Sequence, residues 1–439
     1  MFKRLILRFA TLLLLFLLVT VGVVQYLAVR SINETIEEPA LTGISIPGPG
    51  DAIEGPPQPV IFVGNNWQGT ITVIDTTTLA VIGVLNGIPD KIERLTDIKS
   101  QFAGRMLFYG IKQLVGEGNN QYVDDMYSSL DGTRLVISRP SFADVIALDV
   151  QTGEVIWRFP VAGFRSDHMA LSPDGQRVAV SASTGNVVHV IDVESGQEVG
   201  RFPTGDSPHE NVYSKDGSKI FHASIGRVFS PFDLEGGGLL KGQRVFQVVD
   251  AQSMEILERF DMKDKLEAAG LGHISPAIRP MAHTADENTF YFQLSFLHGF
   301  VEYDLEAGKI TRKVDLPKTT TATRTGYVND SAHHGIAISG DDTQLCVAGT
   351  MDDYVAIVDL ASEDYRILEG LGEKPYWVVT DKSGENCYVS WSGTDQLSVI
   401  NYRRAEEVVR IDVGDHPQRV REGFVPASWK RRSAPSSAY

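Results

Sequence analysis

Ten histidines occur in this chain of 439 residues, and several of them share one position in a repeating pattern. His168, His209 and His334 each stand six or seven residues ahead of the aspartate of a Ser-x-Asp turn, at Asp174, Asp216 and Asp341. His333 directly precedes His334, and His283 lies a little further along another copy of the same segment. Imidazoles brought together from separate segments are how proteins hold Zn, Cu or Fe. The expectation is therefore a metal on His168, His209 and His334, with His283 or His333 as a fourth ligand. Acids occupy the same register: Asp124, Asp125, Asp167 and Glu210. Glu210 or Asp125 is read as the acid/base, and Asp125, Asp167 or Glu210 as a further ligand or as a partner that fixes an imidazole tautomer. Arg279 and Arg419 are read as grips for an anionic substrate. Tyr376 and Trp377 could stack a flat cofactor, although aromatic core packing is the plainer role. The whole group also has a plainer reading, since Asp and His ahead of a strand often cap turns or bind water.

What would bring these residues together is a repeat. Seven segments end alike: TITVIDTTT, VIALDVQTG, VVHVIDVESG, VFQVVDAQS, FVEYDLEAG, YVAIVDLAS and LSVINYRRA. The closing acid falls at Asp75, Asp149, Asp192, Asp250, Asp304 and Asp359, with Asn401 in the seventh. Alternating apolar residues before it mark a strand with one buried face, and Asp or Asn suits the tight turn that follows. A second turn recurs upstream as SLDG, SPDG, SKDG and SGDD. Four strands in a period near 42 residues mean propeller blades, and seven units make one closed ring. The first unit, from PVIFVGNN, lacks its innermost strand, while HPQRVREGFVP (416–426) is an innermost strand with no unit after it. Pairing the two closes the ring and removes exposed edges.

The long insertions, 86–120, 226–243, 261–278 and 317–331, all fall on the face where the innermost strands begin. Loops crowded on one rim usually carry function. In the first, Ile92, Leu95, Phe102, Met106 and Tyr109 recur at helical spacing, which predicts a helical lid packed on the rim. The Gly-rich EGGGLLKG (235–242) is read as a flexible rim loop, since it lacks the strand–helix setting of a phosphate loop.

Residues 387–420, CYVSWSGTDQLSVINYRRAEEVVRIDVGDHPQRV, and 61–85, IFVGNNWQGTITVIDTTTLAVIGVL, resemble the YVTN family of β-propeller repeats. The resemblance extends over about residues 59–426. It implies an all-β seven-bladed propeller spanning 58–426. Function it leaves open, because similar repeats serve in surface proteins, in electron-transfer partners and in cofactor-bearing propellers of the cytochrome d1 type.

The ends set the compartment. Lys3, Arg4 and Arg8 precede Phe9–Val29, an apolar run interrupted only by Thr11, Thr20 and Gln25 and long enough to cross a bilayer as a helix. Residues 1–30 are thus read as a transmembrane anchor, or alternatively as a signal sequence, with the body periplasmic or otherwise outside the cytoplasm. Residues 31–57 are read as a Pro/Gly linker and 427–439 as a disordered basic tail. Residues 31–426 carry 33 basic against 56 acidic groups, a net of −23, which argues against nucleic acid as a partner. Cys346 and Cys387 lie one position out of phase in adjacent repeats, so they are expected to face apart and stay unbridged.

Three functions follow. The first is a metal- or cofactor-dependent site in the funnel, doing redox, lyase or hydrolase chemistry on a small molecule. The second is a non-catalytic module that binds a periplasmic protein through the lidded rim. The third is a metal-free hydrolase of the lactonase type, using His and carboxylate. No CxxC, HExxH, GxSxG or P-loop is present to narrow these further.

Overall fold

In the computed structural model, which describes residues 2–46, 55–228 and 238–431, the chain is a seven-bladed β-propeller. Each blade is one antiparallel four-stranded sheet, its strands here lettered A to D from the axis outward. Every strand C ends at the predicted residue, from Thr70–Asp75 in blade one to Gln396–Asn401 in blade seven. The turn chemistry is as expected: Asp75 Oδ1 accepts the backbone N–H of Thr77 and Thr78, and Asp192 Oδ1 that of Ser195. Strands A are buried almost throughout, whereas strands D such as Val155–Pro160 alternate between half-buried and exposed residues. That contrast follows from strand A lining the axis and strand D meeting solvent on one face.

Blade one is closed by both ends of the chain. Its strand A, Pro417–Val425, pairs antiparallel with strand B, Gln58–Asn65, from Gln58↔Val425 to Asn65↔Pro417. No open edge remains at the seam.

The first insertion forms two helices, α2 (Lys91–Ser100) and α3 (Phe102–Leu114), preceded in the chain by the N-terminal helix α1 (Phe2–Glu37). Leu95 and Phe108 turn into the core while Ile92 and Phe102 stay exposed, so the lid packs with one face only. The insertions meet one another on the rim: Asn329 Nδ2 donates to the carbonyl of Val115, and Lys241 pairs with Asp330.

Four sequence expectations need correction. The helix does not stop near residue 30. It continues to Glu37, because Ser31, Ile32 and Thr35 are buried against the lid. The segment that follows is not a free spacer up to its Pro/Gly core, since Ser45 and Val84 exchange both backbone hydrogen bonds at 3.0 and 3.1 Å. The Pro/Gly core itself, 47–54, lies outside the described residues, as do 229–237 of the Gly-rich rim loop and 432–439 of the tail. The start of that tail is structured: Ala427–Arg431 forms a 3-10 turn that buries Trp429 against the blade-one core.

The fourth correction is chemical. Cys346 and Cys387 form a disulfide, with Cα atoms 6.5 Å apart. The one-position offset predicts that they face apart, but neighbouring blades stack face to face. A bridge between blades six and seven therefore requires opposite faces of the two sheets, and the offset supplies them.

Candidate metal centre

The site is built by β-bulges. In blades one, three, four, five and seven the A–B pairing slips by one, with the extra residue on strand A each time. The slips bracket Gln418 and Arg419, Asp167 and His168, His209, Arg279 and Pro280, and Tyr376. A bulge frees a residue from the ladder and re-aims its side chain, which is why it recurs beside functional sites. Strand B of the neighbouring blade then pins the freed backbone. Ser138 Oγ donates to the Asp167 carbonyl at 2.8 Å, Ser181 Oγ to His209 at 2.9 Å, and Ser390 Oγ to Gln418 at 2.6 Å.

Three imidazoles converge there. One ligand nitrogen from each of His168, His209 and His334 lies within 4.8 Å of the others, and all three rings are buried. The ring centroids of His168 and His209 are 3.6 Å apart, and those of His334 lie 6.1 and 5.6 Å from them. Burial holds all three well below the usual imidazole range, with the Arg419 guanidinium adding to the effect, so they are neutral at pH 7. Neutral imidazole is the ligating form. His209 Nδ1 and His334 Nδ1 have no hydrogen-bond partner among the described residues, whereas His168 Nδ1 lies 2.6 Å from Glu210 Oε2. A carboxyl group behind an imidazole fixes its tautomer; once ionised, as a bound cation favours, Glu210 would hold the proton on Nδ1 and leave Nε2 free to ligate. The donor set therefore fits a Zn, Cu or Fe ion, with His168 Nε2 as the ligating atom and Asp167 Oδ1 only 3.5 Å from it.

Charge is dense around the histidines. Burial pushes the Glu210 carboxyl up to about 8 and Asp124 up to about 7, in both cases against the pull of Arg419, and raises Asp167 as well. Asp125 is committed elsewhere: both its oxygens accept from Arg421, each at 2.9 Å, and Oδ2 also takes the Met169 N–H. It is a buried anchor between blades one and two, which corrects its reading as a free acid or base. Arg421 was missed. It stands two positions after Arg419 on one strand, and both guanidinium groups lie over the Trp377 ring. Arg165 was missed too; it pairs with Asp167 and holds Gln121 Oε1 at 3.2 Å.

Other expectations also change. His283 sits at the far end of its strand, Nδ1 2.9 Å from the Thr284 carbonyl and its ring against Phe221 and Phe290, away from the three histidines. His333 points the opposite way from His334, as adjacent residues in extended chain do. It meets Asp352 Oδ2 at 3.1 Å, in a group completed by His298, whose Nδ1 is 2.5 Å from the same oxygen. Asp352 also accepts the backbone N–H of Thr319 and Thr320, so this group ties down the 317–331 insertion. The ring faces expected to stack a cofactor are occupied. Tyr376 lies on His334 at 4.2 Å, and Trp377 carries Arg419 at 3.7 Å and Arg421 at 5.1 Å. Arg279 is partly spent on Ser295 Oγ at 3.0 Å and on the Asn329 carbonyl. Arg419 is fully buried, with no hydrogen-bond acceptor among the described residues; Asp125 Oδ2 is 4.0 Å from its Nε.

No family profile matches the chain, and no curated protein matches it in sequence. Among solved structures it is similar to a chain of Kuenenia stuttgartiensis hydrazine synthase, with a TM-score of 0.52 and 17% identity over 67% of this chain and 88% of that one. At that identity the likeness shows the propeller fold alone.

Proposed function

We propose that this protein is an exported, membrane-anchored propeller of the YVTN kind whose funnel mouth holds one transition-metal ion on His168, His209 and His334 and acts there on a small molecule. The observation that supports the reading is the convergence of three neutral, buried imidazoles from blades three, four and six, two of them with Nδ1 unengaged. When bound, such an ion supplies Lewis-acid or redox chemistry. The chain's own residues do the rest. Glu210 orients the His168 ring, Asp167 offers an oxygen at the edge of the site, and Arg419, braced on Trp377, supplies positive charge beside the histidines. Export is supported by the apolar N-terminal helix and by the Cys346–Cys387 bridge, since disulfides persist in oxidising compartments.

The short His168–Glu210 contact also supports a second reading, a metal-free hydrolase with that pair as base and acid. Reconstitution with Co(II) separates the two. The metal reading expects one equivalent bound, with visible bands of a low-coordinate nitrogen site. Spectra identical to aqueous Co(II) would favour the metal-free hydrolase.

A further inference from the structure

A cavity of about 390 Å3 with unlike walls shares one residue, Asp167, with the histidine site. One side is the apolar flank of α3, with Met106, Leu107, Gly110 and Leu114. The other is mixed: it includes Ile225 and Val228, and its charges cancel, Arg165 pairing with Asp167 and Arg227 with Asp206 at 3.3 Å. Asp167 belongs to both places, because its Oδ1 is 3.5 Å from His168 Nε2. The mixed wall of the cavity thus reaches the edge of the candidate metal centre.

The position of α3 shows where this cavity leads. Gln25, inside the apolar run of α1, donates from Nε2 to the Phe102 carbonyl at 3.1 Å and accepts from Arg105 Nε at 2.8 Å. Further out, Lys112 Nζ meets Ser31 Oγ at 3.3 Å, and Asn120 Nδ2 meets Thr35 Oγ1 at 3.4 Å. The two helices therefore run side by side in the same direction. If α1 spans the bilayer, the start of α3 stands at the depth of Gln25, and Phe102 there is 57% exposed. At a rise of ~1.5 Å per residue, the cavity wall from Met106 to Leu114 begins ~6 Å above Phe102 and ends ~18 Å above it. On that placement the apolar flank of α3 runs from the membrane boundary towards Asp167, at the edge of the three-histidine centre.

We infer that this cavity binds a bilayer-resident amphiphile, its apolar body along α3 and an uncharged, hydroxyl-bearing head at the Arg165–Asp167 pair. The apolar flank matches the body, and the balanced ion pairs disfavour a head with net charge, which would leave one partner uncompensated. Binding stands on the cavity itself; the ligand's role as substrate rests on the metal-centre reading above.

The test uses the full chain in phosphatidylcholine nanodiscs, with dodecanol carrying a mid-chain diazirine as probe. Photolysis should label α3 within 102–115. A Cβ built on Gly110 meets no atom within 4 Å, so Gly110→Leu starts its side chain into open space and improves helix propensity. Labelling should fall at least tenfold in Gly110→Leu. It should fall likewise in Leu114→Glu, a change at a side chain exposed enough to leave the fold intact. Equal labelling in the wild type and both variants, or labelling confined to α1, would overturn the inference. Metal content is measured on the same samples. One bound ion without cavity labelling leaves the proposed function standing and removes this ligand. Labelling lost in Gly110→Leu with no bound ion supports the ligand site and removes the metal centre.

Discussion

His168 Nδ1 lies 2.6 Å from Glu210 Oε2, so an imidazole of blade three is oriented by a carboxylate of blade four. Both residues are buried, and the contact decides which nitrogen of His168 faces His209 and His334. If it serves a metal, Glu210→Gln should leave the fold intact and weaken metal binding ~10- to 100-fold, the usual cost of removing such a partner. Competition against a chelator of known affinity measures this. Unchanged affinity would mean that Glu210 has another role.

The bulges that aim the site residues depend on hydroxyls one strand away. Ser181 Oγ donates to the His209 carbonyl and also accepts from Asn211 Nδ2 at 2.8 Å. Ser181→Ala takes the buried hydroxyl from the His209 carbonyl, while Asn211 Nδ2 keeps the His168 carbonyl at 3.4 Å, and should cost roughly 1–3 kcal/mol. Urea denaturation gives the value. A cost near zero would show that the bulge needs no such support.

The Cys346–Cys387 bridge closes a loop with a sequence separation of 41 residues. Cys346→Ser should lower stability by about 2–4 kcal/mol, and the same loss should follow reduction of the wild type. Thiol titration of the unfolded, unreduced protein should find no free thiol. Two free thiols would exclude the bridge.

Acid should weaken the propeller through its repeated turns. The Ser218 backbone N–H, with the Ser214 and Ser218 hydroxyls, holds Asp216 down to about 2. The Ser172 hydroxyl lowers Asp174, the Ser195 hydroxyl Asp192, and the Thr343 hydroxyl Asp341. Their folded values lie below the unfolded value of ~3.9, so their contribution is complete above that pH and is lost as pH falls towards 2. Through these aspartates the urea midpoint should fall steadily between about pH 4.5 and 2.5. A midpoint unchanged at pH 2.5 would contradict this.

Much of the fold could be read from the sequence, because the propeller writes its period into its turns. Each strand C closes on the Asp or Asn that the repeat marks, and the unpaired strand at 416–426 showed how the ring closes. The site was legible by position but not by direction. Period-two alternation assumes a regular strand, and bulges at His168, His209 and Arg419 break it. That is why Tyr376 and Trp377 could be placed at the mouth without revealing that His334 and Arg419 already cover their faces. His333 is grouped with the ligands on register alone, and His283 on lying further along its strand. The bridge was misjudged because the sequence shows the phase of two strands and not which sheet faces face each other. Trp429 was hidden in a polar stretch, where no period marks a single buried ring.

The central claim is that three histidines on three blades bind one ion. The direct test is metal stoichiometry of the purified body after separate reconstitution with Zn, Cu and Fe, for the wild type and for His209→Ala and His334→Ala. The ring is closed by strand pairing and not by a metal, so both variants should remain folded. The account predicts about one ion per chain in the wild type for at least one of these metals, and a loss of at least tenfold in occupancy in each variant. Sub-stoichiometric metal in the wild type with all three, or full occupancy in both variants, would contradict it.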